Sequence, residues 1–397
     1  MTDLEFYQRL LDLPGLRVTA VDTETQRILV HGSLAADPTP CPVCGEPTAI
    51  LNQYEARKVQ DLSISGKEVW LHLRVPQLAC LTCPRYFSTP PEWIMPGKTY
   101  TRRQAKWIFE MCAKQPFTEV AALVGLSHKT VERLYYDRAE GQIDLAGRYA
   151  RVRKLGIDEV SHRKGKRDFV CVLTDLERGV QLDILPDRRR ATLEAHFEAL
   201  GPAFCDRITV VAMDMWRPYR DVAEQCFPNA EVVIDRFHVV KALNDALDRI
   251  RKHLRREHAD TDCFKNIKWS LFKRAEACSA DEQERLDKAF AASPLLGEAY
   301  RLRNAFHALM DASRERDALA SGLEAWSCEA ERLGSAPVNR FVGTLTRWLG
   351  PISAFASTGL TNAVTEGLNN YLRYFKRISF GLPNFEHMRV RVLMATA

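Results

Sequence analysis

The stretch Arg151–Asp175, RVRKLGIDEVSHRKGKRDFVCVLTD, reads as two strands joined by a turn. Leu155, Gly156 and Ile157 form a short apolar run that ends on Asp158, and the polar, basic and glycine-containing residues Ser161–Arg167 suit a turn. Phe169–Thr174 is a second run of strand-forming residues. An acid at the end of a buried strand is held rigidly and still reaches solvent, which is what a metal-binding carboxylate needs. One such acid among 51 Asp and Glu decides nothing, so the search is for partners.

The rest of this α/β stretch supplies them. Strands are expected at 154–158, 168–174, 179–185 and 207–213, with a helix over Ala191–Leu200. Ile208–Met213 is fully apolar and ends on Asp214, and Glu231–Ile234 ends on Asp235. Asp158, Asp214 and Asp235 therefore each follow a strand-like run. Glu159 is left out of the cluster, because alternation along the strand points it away. Carboxylates converging on a divalent cation form a phosphoryl-transfer centre, and hard oxygen ligands suit Mg²⁺.

Upstream, Cys41-Pro-Val-Cys44 and Cys80-Leu-Thr-Cys83 are matched pairs separated by 35 residues. Between them Val69–Val75 alternates as a strand and Ser65-Gly66 suits a turn. Two such knuckles on a hairpin are the layout of a zinc ribbon, with four thiolates around one structural Zn²⁺. The remaining seven of the eleven cysteines are scattered, which argues against a disulfide scaffold and for a reducing cytoplasm. The N-terminus lacks the features of a signal peptide, and no run approaches the length of a membrane span.

Between ribbon and α/β stretch, FTEVAALVGLSHKTVERLYYDR reads as a helix-turn-helix, with Thr118 and Ser127 as N-caps and Gly125 in the turn. Ser127, His128, Lys129, Thr130 and Arg133 lie on the exposed side of its second helix, suited to base edges and phosphates. Net charge is only +5, but Arg85–Lys154 carries thirteen Lys and Arg against seven Asp and Glu, a local excess of +6. That basicity points to nucleic acid.

After Val239 the chain is helical almost throughout. Its basic run Arg249, Arg251, Lys252, Arg255, Arg256 suits either a solvated or a phosphate-facing surface, and core packing is the default for Trp269, Trp326 and Trp348. Another helix follows Thr361 or Asn362 and has Glu366 in its first turn, where the helix dipole alone accounts for an acid. The expected divisions are 1–40, a helix and hairpin; 41–90, the ribbon; 99–145, the helix-turn-helix; 151–240, the first part of the core; 241–360, helical; and 361–397, a final helix and tail.

The order ribbon, helix-turn-helix, then GIDEVSHRKG, AMDMWRPY, VVIDRFHVVK and NAVTEGLNNYLRYFKRISFG resembles bacterial insertion-sequence transposases of the DDE type, in particular the ISL-type family. The resemblance implies an RNase H-like α/β core interrupted by an all-helical insertion. It implies Asp158, Asp214 and Glu366 as the triad, holding two Mg²⁺ or Mn²⁺. The order of residues alone does not select Glu366. It further implies that Asp235-x-x-His238 brings His238 to the site, although a capping or packing role accounts for it equally well. One insertion tryptophan, here Trp269, would stack on a displaced base. The implied partners are terminal inverted repeats and target duplex DNA, bound by a dimer or larger assembly at the nucleoid. Hydrolysis at each element end would free a 3′-hydroxyl, which would then attack target DNA. The basic turn Arg163, Lys164, Lys166 and Arg167 would hold backbone phosphates or be solvated. A DNA-binding regulator with a non-catalytic core and a structure-specific nuclease are the rival readings.

Overall fold

The computed structural model describes residues 2–163, 168–360, 363–379 and 384–395, and the chain divides into two units. The first holds residues 1–143 with Phe375–Leu382 and Glu386–Ala395; the second holds Asp144–Tyr374 with Pro383–Phe385 and the last two residues.

In the first unit a helix, Asp3–Leu11, is closed by a capping box between Thr2 and Glu5. Strands Leu16–Thr23, Arg27–Leu34, Lys67–Cys80 and Leu51–Ile64 follow in that spatial order in one sheet, and Arg85–Ser88 pairs with Lys67–Cys80. The N-terminal hairpin and the ribbon, read from sequence as separate pieces, share this sheet: Arg27–Ser33 runs parallel to Glu68–Arg74. Both long strands of the ribbon hairpin carry fourteen residues, and Ser65 and Gly66 turn between them with φ of 51° and 78°. Only glycine adopts that conformation without strain.

Helices Arg102–Cys112, Phe117–Val124 and His128–Ala139 form the tri-helical part. Gly125 turns left-handed at φ 66°, and the Ser127 side chain accepts from the Thr130 amide at 3.2 Å, as the sequence implied. The expected cap at Thr118 is not made. Phe117 already begins the helix and is buried, and Pro116 stands at the N-cap without a side-chain bond.

The helix Phe385–Ala395 completes this unit from the far end of the chain. Arg391 is buried, donates to the carbonyls of Cys112 at 2.8 Å and Gln115 at 3.2 Å, and lies 4.3 Å over the Phe117 ring. It caps the C-terminal end of Arg102–Cys112. Arg391→Ala leaves buried carbonyls without a donor and opens a cavity, so a loss of about 2–4 kcal/mol is expected. Urea unfolding followed by tyrosine fluorescence would register it; an unchanged midpoint would show the contact to be dispensable.

The second unit is built on strands Val180–Leu185, Asp168–Asp175, Lys154–Arg163, Val210–Met213 and Glu231–Ile234, in that order. The first three are antiparallel and the last two join in parallel. This is the mixed α/β sheet expected of the RNase H-like core. Helices Arg190–Leu200 and Arg217–Cys226 pack with it into one apolar core. Arg236–Glu257 then leads into a helical region with Ala280–Ala292, Pro294–Ala312, Arg316–Arg332, Ala336–Arg347 and Leu349–Thr358. Trp326 and Trp348 are buried there, but Trp269 is 68% exposed, against the core role expected by default.

Candidate active site

Three strands converge on one rung. Ile157 pairs with Met213, and Met213 with Ile234, so Asp158, Asp214 and Asp235 occupy equivalent positions one residue further along adjacent strands. Asp158, expected at the end of its strand, lies within it. Its strand does not end there but continues to Arg163, because the antiparallel neighbour keeps pairing, Asp158 with Val172. What ends at Ile157 is the parallel partner, and that missing neighbour opens the lip. Ser161–Arg163, expected to open the turn, belong to the strand for the same reason. Lys164, Lys166 and Arg167 lie outside the described residues, as does the Arg163 side chain.

The helix Ala363–Ile378 brings in the distant acid. Asp158, Asp214, Asp235 and Glu366 line one pocket of about 270 Å³ together with Glu159, Phe237, His238, Lys241, Asn369 and Arg373. Thr365 of this helix passes so close to Gly156 that a Cβ there would sit 3.0 Å from its Oγ1 and 2.9 Å from Leu176 Cδ2. The glycine of Leu-Gly-Ile-Asp thus lets the Glu366 helix lie across the strand.

Asn369, which the sequence reading missed, is buried and donates to Asp158 Oδ2 at 2.5 Å. The other Asp158 oxygen accepts from the Glu159 amide at 2.6 Å. Asn369 stands three residues after Glu366, on the same helical face, and that spacing was the available signal. Glu159, expected to point away from the acids, lines the same pocket, and its carboxylate pairs with Arg188. Asp235 caps Arg236–Glu257, its Oδ1 accepting from the Phe237 amide at 3.1 Å. One turn on, His238 Nε2 lies 2.9 Å from Asp214 Oδ1, so this histidine reaches the acid pocket.

Burial first, then the neighbouring charge of Asp214, pushes the Asp158 carboxyl up from 3.8 to about 6. Burial opposes a charge on His238, but the hydrogen bond and charge of Asp214, with Asp235 and Asp158 beyond, outweigh it and raise its pKa. Five acids face two fixed cations, Lys241 and Arg373, in this pocket, and oxygen donors of that kind fit a hard divalent cation. The acids are not gathered as tightly as the cysteines: among the described residues only the four thiols bring one ligand atom each within 4.8 Å of all the others.

The Asp158 shift has a consequence for stability. Between 3.8 and about 6 the folded chain holds a proton that the unfolded chain has released, so stability falls as pH rises through that window. Above it a penalty of about 3 kcal/mol persists. In chelator-treated protein, Asp158→Asn is expected to raise the denaturation midpoint at pH 7 and to lose that advantage near pH 4. Equal midpoints at pH 7 would contradict it.

The ribbon residues meet as expected. Cys41 Sγ lies 3.3 Å from Cys83 Sγ, Cys44 Sγ 3.6 Å from Cys80 Sγ, and Cys83 Sγ 3.5 Å from Cys80 Sγ. These separations are close to those of a tetrahedron with Zn–S bonds of about 2.3 Å. The Cys44 and Val43 amides draw Cys41 down to about 6, favouring its thiolate. The donor set fits a structural zinc.

On the second helix of the tri-helical part, Ser127, His128, Lys129 and Arg133 are exposed and Thr130 is half-buried. The hydroxyls of Ser127 and Thr130 are 2.8 Å apart and engaged in the cap, which leaves His128, Lys129 and Arg133 as the freer groups.

Residues 155–392 match a family described as a transposase, the DDE domain of ISL3. The chain belongs to the ISL3 transposase family. Residues 37–83 match the zinc finger of the transposases IS204/IS1001/IS1096/IS1165, and residues 89–139 the helix-turn-helix domain of ISL3 transposases. The transposase for insertion sequence element IS1001 of Bordetella parapertussis is 28% identical over 360 residues, 89% of this chain and 88% of that one. The transposase for IS1557 of Mycobacterium tuberculosis is 26% identical over 373 residues, 86% and 82% of the two chains. This ISL3 transposase therefore carries a zinc ribbon, a DNA-binding helix-turn-helix and a transposase core, and no described helix is long and apolar enough to cross a membrane.

Proposed function

We propose that this transposase cuts DNA at the ends of its element in the pocket of Asp158, Asp214 and Glu366. The observation that carries this is the shared rung of Asp158 and Asp214, with the Glu366 helix lying across it. Asp158, Asp214 and Glu366 would hold two Mg²⁺ or Mn²⁺, which when bound activate the attacking oxygen and stabilise the leaving one. Asn369 and the Glu159 amide fix the Asp158 carboxylate, each oxygen keeping a lone pair for a cation. His238 orients Asp214, and Asp235 acts at one remove by starting the helix that carries His238.

The ribbon and the His128–Ala139 helix bind the terminal inverted repeats. Water attacks at each element end, and the freed 3′-hydroxyl attacks target DNA. Two ends must be paired for this, so the working form is a dimer or larger assembly. Trp269 is the insertion tryptophan whose exposed ring supports a base-stacking role.

The test is incubation of the purified chain with end-labelled duplex carrying the element's inverted repeats. Nicks with a 3′-hydroxyl, followed by joined products, are expected with Mg²⁺ or Mn²⁺ and not with chelator. Cutting in chelator would overturn the proposal. Cutting without joining would favour a nuclease, and binding without cutting in either metal a regulator.

A further inference from the structure

Arg236–Glu257 does more than deliver His238. Its first turns, through Lys241, line the acid pocket, and its next turns line a groove. Ala242, Asp245, Ala246 and Arg249 form one wall, and Arg340, Phe341, Thr344 and Arg347 of the helix Ala336–Arg347 form the other. Arg347 also lines a pocket with Met215, Trp348, Arg217 and Arg220, the last two paired with its acids Asp221 and Glu224. Met215 of this second pocket directly follows Asp214 in the chain.

The charges of this surface are available. Arg217, Arg249, Arg340 and Arg347 are exposed. Among the described residues no acid pairs with Arg249, Arg340 or Arg347; Arg347 donates to Thr344 Oγ1 at 3.2 Å, and Arg217 is 3.7 Å from Asp221. Two other members of the basic run that includes Arg249 are neutralised, since Arg251 and Lys252 both pair with Asp248. Unneutralised arginines on facing helices, with few acids between them, suit a polyanion. From His238 to Arg249 the helix rises about 16 Å, the axial span of roughly five phosphates of one duplex strand. Arg340 and Arg347 are two turns apart on the facing wall, about 10 Å, or three phosphates.

We infer that the groove between Arg236–Glu257 and Ala336–Arg347 holds the sugar–phosphate backbone of the DNA leading away from the phosphate being cut. The inference rests on the acid pocket being the cutting centre, but its test does not. Binding of the full chain to duplex spanning the repeat and its flank would be measured by fluorescence anisotropy from about 50 to 200 mM salt. Each phosphate contact contributes about 0.9 to the slope of log affinity against log salt, so the Arg249→Ala, Arg340→Ala, Arg347→Ala triple variant should lose about 2–3 from it. The triple lysine variant should keep most of the slope. Methylphosphonates in the flank should reduce the wild-type slope and leave the triple alanine variant unaffected. An unchanged slope in a triple alanine variant that melts like wild type would overturn the inference, as would methylphosphonates lowering both slopes equally. Asp214→Asn serves as the separate control: if it still cuts, the acid-pocket reading fails whatever the slopes show.

Discussion

Asp214→Ala is expected to abolish DNA cutting while leaving binding to the inverted repeat intact. Asp214 stands at the meeting of three effects. Its backbone position is set by parallel pairing on both sides, through Met213 to Ile157 and Ile234. Its carboxylate lies 2.9 Å from His238 Nε2, and its charge raises the pKa of Asp158. A carboxylate that holds a catalytic cation supplies several kcal/mol at the transition state, so its removal should slow cutting by at least about 10³-fold. Unfolding would not account for the loss. Taking away one of two crowded acids relieves Asp158, so the chelator-treated variant should melt no lower than wild type. Cleavage of labelled duplex in Mg²⁺, gel shift and thermal melting together read all three. Surviving cleavage would remove the acid pocket from the mechanism, whereas lost cleavage with a lowered melt would leave Asp214 a structural acid.

Zinc withdrawal should be as severe for the first unit. Strong chelation, or Cys41→Ser, is expected to release one zinc per chain and to unfold the ribbon knuckles. Structural zinc contributes on the order of 10–16 kcal/mol of apparent binding energy in small zinc peptides near neutral pH, most of it folding energy. Here the loss should be graded along the hairpin. Cys80 ends the strand Lys67–Cys80, whose other end is buried with Val69, Leu71 and Leu73 in the apolar core of the sheet. Hydrogen exchange should therefore rise sharply around Cys41–Thr48 and Cys80–Ser88, and much less at Val69–Leu73. Metal analysis showing no zinc in freshly purified protein would end the assignment.

The parts legible in the sequence were those written in local chemistry. Paired cysteines, Ser127 as a cap, Gly125 in its turn and the Glu231–Ile234 strand were all found because each is decided within a few residues. Thr118 failed as a cap because the helix, with Phe117 buried at its start, begins two residues earlier than such a cap requires. Asp158 was found as an acid at the sheet's lip, but for a reason that needed correction: the lip is made by the shortness of Val210–Met213, a neighbour far along the chain. Asn369 and Lys241 were missed because their neighbours in the pocket come from distant parts of the chain: Asn369 meets Asp158 from the helix Ala363–Ile378, and Lys241 lines the pocket from Arg236–Glu257. The same holds for Trp269, which no local pattern separates from Trp326 and Trp348.

The buried Arg391 has a consequence for synthesis. The recognition helices leave the ribosome early, but the helix that carries Arg391 follows only after the whole catalytic unit has been made. At about 5–20 residues per second, the roughly 250 intervening residues take on the order of 10–50 s. During that interval the nascent chain has an incomplete DNA-recognition unit. A chain stopped just short of Glu386 would carry Asp158, Asp214 and Glu366 and yet lack the arginine that caps Arg102–Cys112. The first unit is therefore complete only once the last helix has been made.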